Sequence, residues 1–261
     1  MKQKIESADV HVALDGHVAV VEMRRPPHNF LDFGMISGLV DAFERLDADP
    51  RCRAIVLAAQ GRSFCAGGDF ASGGPGAPGA DNSVAPLYAH AVRLFRTGKP
   101  VVAAVQGPAI GGGLGLALVA DFRITCPEAR FSANFNRLGL HPGFGLSVTL
   151  PRLVGAQRAA LLLYTGRRID GDEAAAIGLA EESVRLGAVR ERAIALAEEI
   201  AISAPIAVAS TRKTLRGRLA DEVQAATEHE AAEQQLHFAT DDFREGVAAM
   251  AERRAPDFKG R

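Results

Sequence analysis

The chain is predicted to be an α/β protein, and three features carry that prediction. Apolar, partly β-branched runs such as Ala54–Ala59 and Val101–Val105 alternate with segments of helical periodicity. Those runs have no polar position, as expected of parallel strands buried on both faces. After about residue 150 the texture turns helical and rich in Glu, Gln, Arg and Ala. At 261 residues, with 48% hydrophobic and 23% charged, the chain is long enough to fold without disulfide or metal staples.

The elements follow in order. Residues 10–14 and 17–23 flank Asp15-Gly16, a strong hairpin signal. Asp32 can cap a helix whose apolar face holds Met35, Leu39 and Phe43. The strand Ala54–Ala59 comes next, then a Gly/Pro-rich loop over 72–79 and a helix over 84–96. Strand Val101–Val105 leads through a glycine turn into a helix over 114–120, and Phe122–Thr125 reads as a further strand. Val189, Ala193, Leu196, Ala197 and Ile200 share one helical face. Pro205 opens another helix to about residue 215, and nearly all of 220–253 is expected to be helical. Residues 1–200 are therefore expected to form the core, and 201–261 a helical region with too little apolar density for a core of its own. No internal repeat is evident.

Several function classes lose support at once. Lys and Arg number 30 against 31 Asp and Glu, a formal charge of −1, which argues against nucleic acid as the main partner. Cys52, Cys65 and Cys126 form no C-x-x-C pair, and the seven histidines are scattered, so a reducing compartment and no metal site are expected. The start, Met1-Lys2-Gln3-Lys4-Ile5-Glu6, lacks the apolar stretch of a signal peptide. Residues 101–120 carry no charge, yet Gln106-Gly107-Pro108 and Gly111-Gly112-Gly113 divide them into strand, turn and helix rather than a membrane span. The expectation is a soluble, cytoplasmic protein with no membrane partner. Gly74-Pro75-Gly76-Ala77-Pro78-Gly79 fits G-x-G-x-x-G by spacing, but its prolines and the lack of a preceding strand remove the dinucleotide mechanism.

Two glycine clusters remain, each following a buried strand: Ser63-Phe64-Cys65-Ala66-Gly67-Gly68-Asp69-Phe70 and Pro108-Ala109-Ile110-Gly111-Gly112-Gly113-Leu114-Gly115-Leu116. Glycine lets the backbone approach a ligand closely, and two N–H groups aimed at one carbonyl oxygen would form an oxyanion hole. Two tight turns serving only packing would leave the same pattern.

With Ala120-Asp121-Phe122-Arg123-Ile124, Leu138-Gly139-Leu140-His141-Pro142-Gly143, Tyr164-Thr165-Gly166-Arg167 and the tail Pro256-Asp257-Phe258-Lys259, these clusters resemble the crotonase (enoyl-CoA hydratase/isomerase) family over essentially the whole chain. The resemblance implies a spiral of ββα units with a C-terminal helical trimerisation region. It also implies acyl-CoA thioesters as substrates and a homotrimer or dimer of trimers. No separate cofactor is implied, since coenzyme A is part of the substrate. The two amide donors fall on Gly68 and Gly112. Ala66, Asp69, Phe70, Phe135 and Lys259 join these two as substrate-binding positions, with Lys259 near the CoA phosphates. The resemblance also exposes departures. The two glutamates of related hydratases fall on Gly115 and Phe135, which can act as neither acid nor base. The aspartate of the dehalogenase and dienoyl-isomerase branches falls on Gly143. His141, in a loop near the acyl pocket, is then a candidate acid or base, or else a histidine bonded to backbone. Tyr88 and His90 are candidate pocket-lining residues, and Asn134 and Asn136 could orient a water.

Overall fold

The computed structural model describes residues 5–6, 9–70 and 83–261. The predicted loop at 72–79 lies outside the described residues. The hairpin is present: β1 (Ile5–Glu6) pairs with β2 (Val10–Asp15), which pairs antiparallel with β3 (Val18–Met23) in the register Val12 to Val21. Asp32 opens α1 (Phe33–Ala48), its carboxylate accepting from the Met35 N–H at 2.7 Å. After β4 (Ala54–Ala59) come α2 (Ala85–Phe95), β5 (Val101–Val105), β6 (Ala109–Ile110), α3 (Gly112–Ala117) and β7 (Phe122–Thr125). The remainder runs β8 (Arg130–Ser132), α4 (Leu146–Val154), α5 (Ala156–Thr165), β9 (Ile169–Asp170), α6 (Gly171–Ala176), β10 (Glu182–Ser183), α7 (Val189–Ala201), α8 (Pro205–Arg216), α9 (Leu219–His237) and α10 (Asp241–Glu252).

Seven strands form one sheet in the order β1-β2-β3-β4-β5-β7-β10, parallel from β3 onward. Every residue of β4 and β5 is buried, the cause of their unbroken apolar composition. One of their covers is α7, whose Val189, Ala193, Ala197 and Ala201 are buried at i, i+4 spacing. A second, three-stranded sheet, β6-β8-β9, carries the glycine turn.

One helix expectation needs correction. The helix expected over 114–120 is α3, starting within the triple glycine and ending at Ala117. Its start is set by Gly111, whose φ of +56° turns the chain. Nearly all of 220–253 is helical, as expected, in two helices, because Thr240 caps α10 by accepting from the Phe243 N–H at 3.0 Å while donating to the His237 carbonyl at 2.7 Å. The C-terminal helices do not build a separate core. Val223, Ala231, Phe238 and Phe243 join the same buried cluster as the sheet, whereas α8 buries no residue at all. Among the described residues no single helix is long and apolar enough to cross a membrane, and the uncharged stretch 101–120 is divided among β5, β6 and α3.

Candidate active site

The two glycine clusters lie side by side. Cys65 N–H donates to the Pro108 carbonyl and Ile110 N–H to the Cys65 carbonyl, both at 3.0 Å, so the first cluster continues the small sheet beside β6. On its other side, Leu31 N–H donates to the Gly67 carbonyl at 2.8 Å. The approach is too close for side chains. A β-carbon on Gly67, whose φ is +82°, would lie 2.7 Å from the Ile110 carbonyl oxygen and 3.6 Å from the Gly112 nitrogen. One on Gly113 would strike the Cys65 carbonyl. Gly67 and Gly111 thus each turn the chain just before the residue of interest, Gly68 and Gly112 respectively. The N–H groups of Gly68 and Gly112 donate to no acceptor among the described residues. Cys65 contributes packing: burial pushes its thiol up to about 12, so it stays protonated.

The surroundings of these amides are apolar. A β-carbon on Gly112 would meet Leu31 Cδ1 at 3.1 Å and Phe144 Cδ2 at 3.8 Å. One on Gly111 would meet Phe135 Cζ at 3.7 Å, and one on Gly68 the Phe70 ring at 3.4 Å. Phe70 in turn stands edge-on to Phe243 at 6.3 Å between centroids. The absent side chain of Gly115 has a definite tenant. A β-carbon there would come within 2.7 Å of Phe144 Cβ and 2.8 Å of its Cδ1. Phe144 is 1% exposed and has a φ of +61°, an unusual backbone for a bulky residue. Neither residue 115 nor residue 135 offers an ionisable group.

The loop that carries Phe144 is bound to α9 and α2. A β-carbon on Gly143 would collide with the Tyr88 hydroxyl. That hydroxyl donates to Gln234 Oε1 at 3.0 Å, and Gln234 Nε2 donates to the His141 carbonyl at 2.7 Å. Burial, reinforced by the nearby Glu230 charge, raises the Tyr88 pKa and keeps the phenol neutral. Glu230, fully buried, accepts from Gly145 N–H at 2.7 Å, Ser147 N–H at 3.1 Å and Ser147 Oγ at 2.6 Å.

The remaining sequence candidates are more dispersed. His141 faces α9: its N–H donates to His237 Nδ1 at 2.9 Å, its ring lies 5.6 Å from that of His229, and its Nδ1 is 2.8 Å from the Pro142 carbonyl. None of these contacts reaches Gly68 or Gly112. Tyr88 lies under the loop, but His90 stacks on Phe33 at 5.0 Å and faces α1. Asn136 donates to the Tyr164 carbonyl at 2.6 Å, while Asn134 lies near Gly111. Ala66 and Asp69 flank the glycine pair of the first cluster, Ala66 N–H donating to the His28 carbonyl at 2.9 Å. Lys259 is exposed, and its ammonium binds Asp257 at 2.8 Å. Among the described residues no group of three His, Cys, Asp or Glu could hold a metal ion. A cavity of about 190 Å³ beside Ala58, Ala104, Gln106 and Arg190 includes no residue of either glycine cluster. Sequence reasoning missed Leu31, Phe144, Gln234 and Glu230. The one signal for Phe144 was an aromatic residue between two glycines, Gly143 and Gly145.

Comparison with known proteins identifies the family. The model of the enoyl-CoA hydratase/isomerase family matches residues 14–261. Enoyl-CoA hydratase EchA19 of Mycobacterium tuberculosis is 35% identical, with 97% of each chain covered. Carnitinyl-CoA dehydratase of Proteus mirabilis is 34% identical over 98% of this chain and 100% of the relative. Among solved structures, an enoyl-CoA hydratase/isomerase from Pseudoalteromonas atlantica superposes with a TM-score of 0.86 at 32% identity, covering 96% of this chain and 100% of that one. Matched along nearly its whole length in sequence and in fold, the chain belongs to the enoyl-CoA hydratase/isomerase family.

Proposed function

We propose that this protein is an acyl-CoA thioester enzyme that stabilises an enolate-like state without using the two-glutamate hydration route. The observation that carries this reading is the pair of unengaged amides at Gly68 and Gly112, set side by side by the Cys65–Ala109 bridge. A thioester oxygen between them would gain two donors that need no reorganisation, each contributing roughly 3 kcal/mol to an oxyanion. Hydration further requires a base for water and an acid for the α-carbon. Gly115 and Phe135 stand where the resemblance puts those two glutamates, and Phe144 fills the space beside Gly115.

Isomerisation, thioester hydrolysis and decarboxylation remain, together with a binding subunit that keeps the fold without turnover. The apolar walls Leu31, Phe135 and Phe144 favour decarboxylation of an α-carboxy acyl thioester of the malonyl type. There the electrons come from the breaking C–C bond, and an apolar wall desolvates the departing carboxylate. His141 is a candidate proton donor only if its ring turns from α9. CoA binding would engage Ala66, Asp69, Phe70 and Lys259, with release of Lys259 from Asp257. Assembly as a homotrimer or a dimer of trimers would cover exposed apolar residues such as Ile202 and Ile206 on the outer helices. A cytoplasmic location fits the three buried free cysteines.

The deciding experiment offers crotonyl-, β-keto-acyl- and malonyl-CoA to the purified protein in heavy-oxygen water with mass detection. Carbon dioxide release from malonyl-CoA with crotonyl-CoA untouched supports the proposal. Efficient hydration of crotonyl-CoA overturns its central exclusion. Binding of every thioester without turnover transfers the reading to a binding subunit.

A further inference from the structure

We propose that Phe144 is the specificity-determining residue of this site: seated in the space that Gly115 leaves open, its ring closes the acyl compartment beside Gly112 and restricts it to short acyl groups. The inference rests on the acyl-CoA reading above.

Gly112 and Gly115 are three residues apart and so present the same face of α3. Phe144 covers both, its ring atoms lying 2.8 Å and 2.9 Å from the β-carbon position of residue 115 and 3.8 Å from that of residue 112. A thioester polarised by the Gly112 amide would therefore place its first acyl carbons in the space bounded by Phe144, Leu31 and Phe135. The ring is buried, and the residues before and after it are both anchored. Gly143 rests against the Tyr88 hydroxyl and Gln234. Gly145 donates to Glu230 at 2.7 Å, and a β-carbon on it would lie 2.7 Å from Val223 Cγ1. Tyr88 packs edge-on behind Phe144, with centroids 6.2 Å apart. Such a residue is a fixed wall, and shortening it opens a void that a held loop fills only in part.

The test is calorimetric titration of the wild-type protein, Phe144→Leu and Phe144→Ala with non-hydrolysable thioether analogues of acetyl-, butyryl-, hexanoyl- and octanoyl-CoA. These ligands report binding whichever reaction is catalysed. The wild-type protein should prefer the two shorter analogues. Phe144→Ala should bind the octanoyl analogue at least about tenfold more tightly than the wild type does and lose less than about threefold on acetyl, with Phe144→Leu between them. Should Phe144→Ala fail to fold, Phe144→Leu decides, since it keeps most of the buried volume. Length profiles that stay parallel in folded variants overturn the role of Phe144 and leave the acyl-CoA reading standing. A folded wild-type protein that binds none of the analogues overturns both.

Discussion

Two carboxylates, Asp121 partly buried and Glu230 fully so, tie the C-terminal helices to the core by different means. At α8, Asp121 receives Arg212 Nε and Arg216 Nη1, each at 2.8 Å, and the Val101 N–H at 2.8 Å. At α9, Glu230 has only neutral donors, two backbone N–H groups and one hydroxyl. The first junction lies where β5 and β7 begin and joins a helix with no buried residue. The second lies beneath the loop that seats Phe144. Charge-assisted hydrogen bonds hold a helix firmly, whereas donors from nearby backbone positions define where a loop runs. The contrast teaches that the same chemical group can serve as an anchor at one place and as a template at the other.

The comparison is most sharply broken at the anchor. Asp121→Asn should destabilise the fold by about 4 kcal/mol, because it leaves two largely buried arginines without their counter-charge. Urea unfolding followed by circular dichroism measures this. Glu230→Ala should cost about 3 kcal/mol, since it strands buried N–H donors of Gly145 and Ser147. Unlike Asp121→Asn, it should also weaken binding of CoA thioethers in protein that remains folded. If the two variants lower binding equally, the distinction between anchor and template fails.

Gly115→Ala comes next, at about 2 kcal/mol, because its new methyl group meets the Phe144 ring. Combined with Phe144→Leu, the total loss should be smaller than the sum of the single losses, and a double-mutant cycle reads that coupling. Thr240→Ala, which removes a cap remote from both carboxylates, should cost only about 1 kcal/mol by the same unfolding assay.

The Asp121 junction should also respond to acidification. Burial works to raise the Asp121 pKa, but Arg212 and Arg216 outweigh it and the net shift is downward. The folded state therefore holds its proton more weakly than the unfolded chain does. The resulting stability is present above the unfolded carboxylate pKa, near 4, and is lost as pH falls through the lower folded value. Unfolding free energies measured from pH 6 down to pH 2 should fall less steeply in Asp121→Asn than in the wild type.

Much of the local architecture was legible because its causes are local. The Asp15-Gly16 hairpin, the Asp32 cap and the strands Ala54–Ala59 and Val101–Val105 depend on neighbouring residues and on the two-faced burial of parallel strands. The helix boundaries at Gly112 and Thr240 were less legible, because a glycine turn pressed against another segment and a threonine cap leave weak marks in composition. The candidate site divides along the same line. Both glycine clusters stand out in the sequence, as does the absence of acid or base at Gly115 and Phe135. What fills the space beside Gly115 does not.

By itself, then, the sequence determined an α/β fold, two glycine-rich segments fit to bring backbone amides close to a ligand, and a family likeness. Only the tertiary structure decided that Phe144 occupies the vacancy at Gly115, that His141 turns toward α9, and that Glu230 and Gln234 hold the loop between them. Those contacts join residues far apart along the chain, 85 positions for Glu230 with Gly145 and 146 for Gln234 with Tyr88. Periodicity and turn chemistry report what a residue does with its near neighbours. Which distant side chain fills a gap is settled by close packing, which exists only once the helices have docked on the sheet.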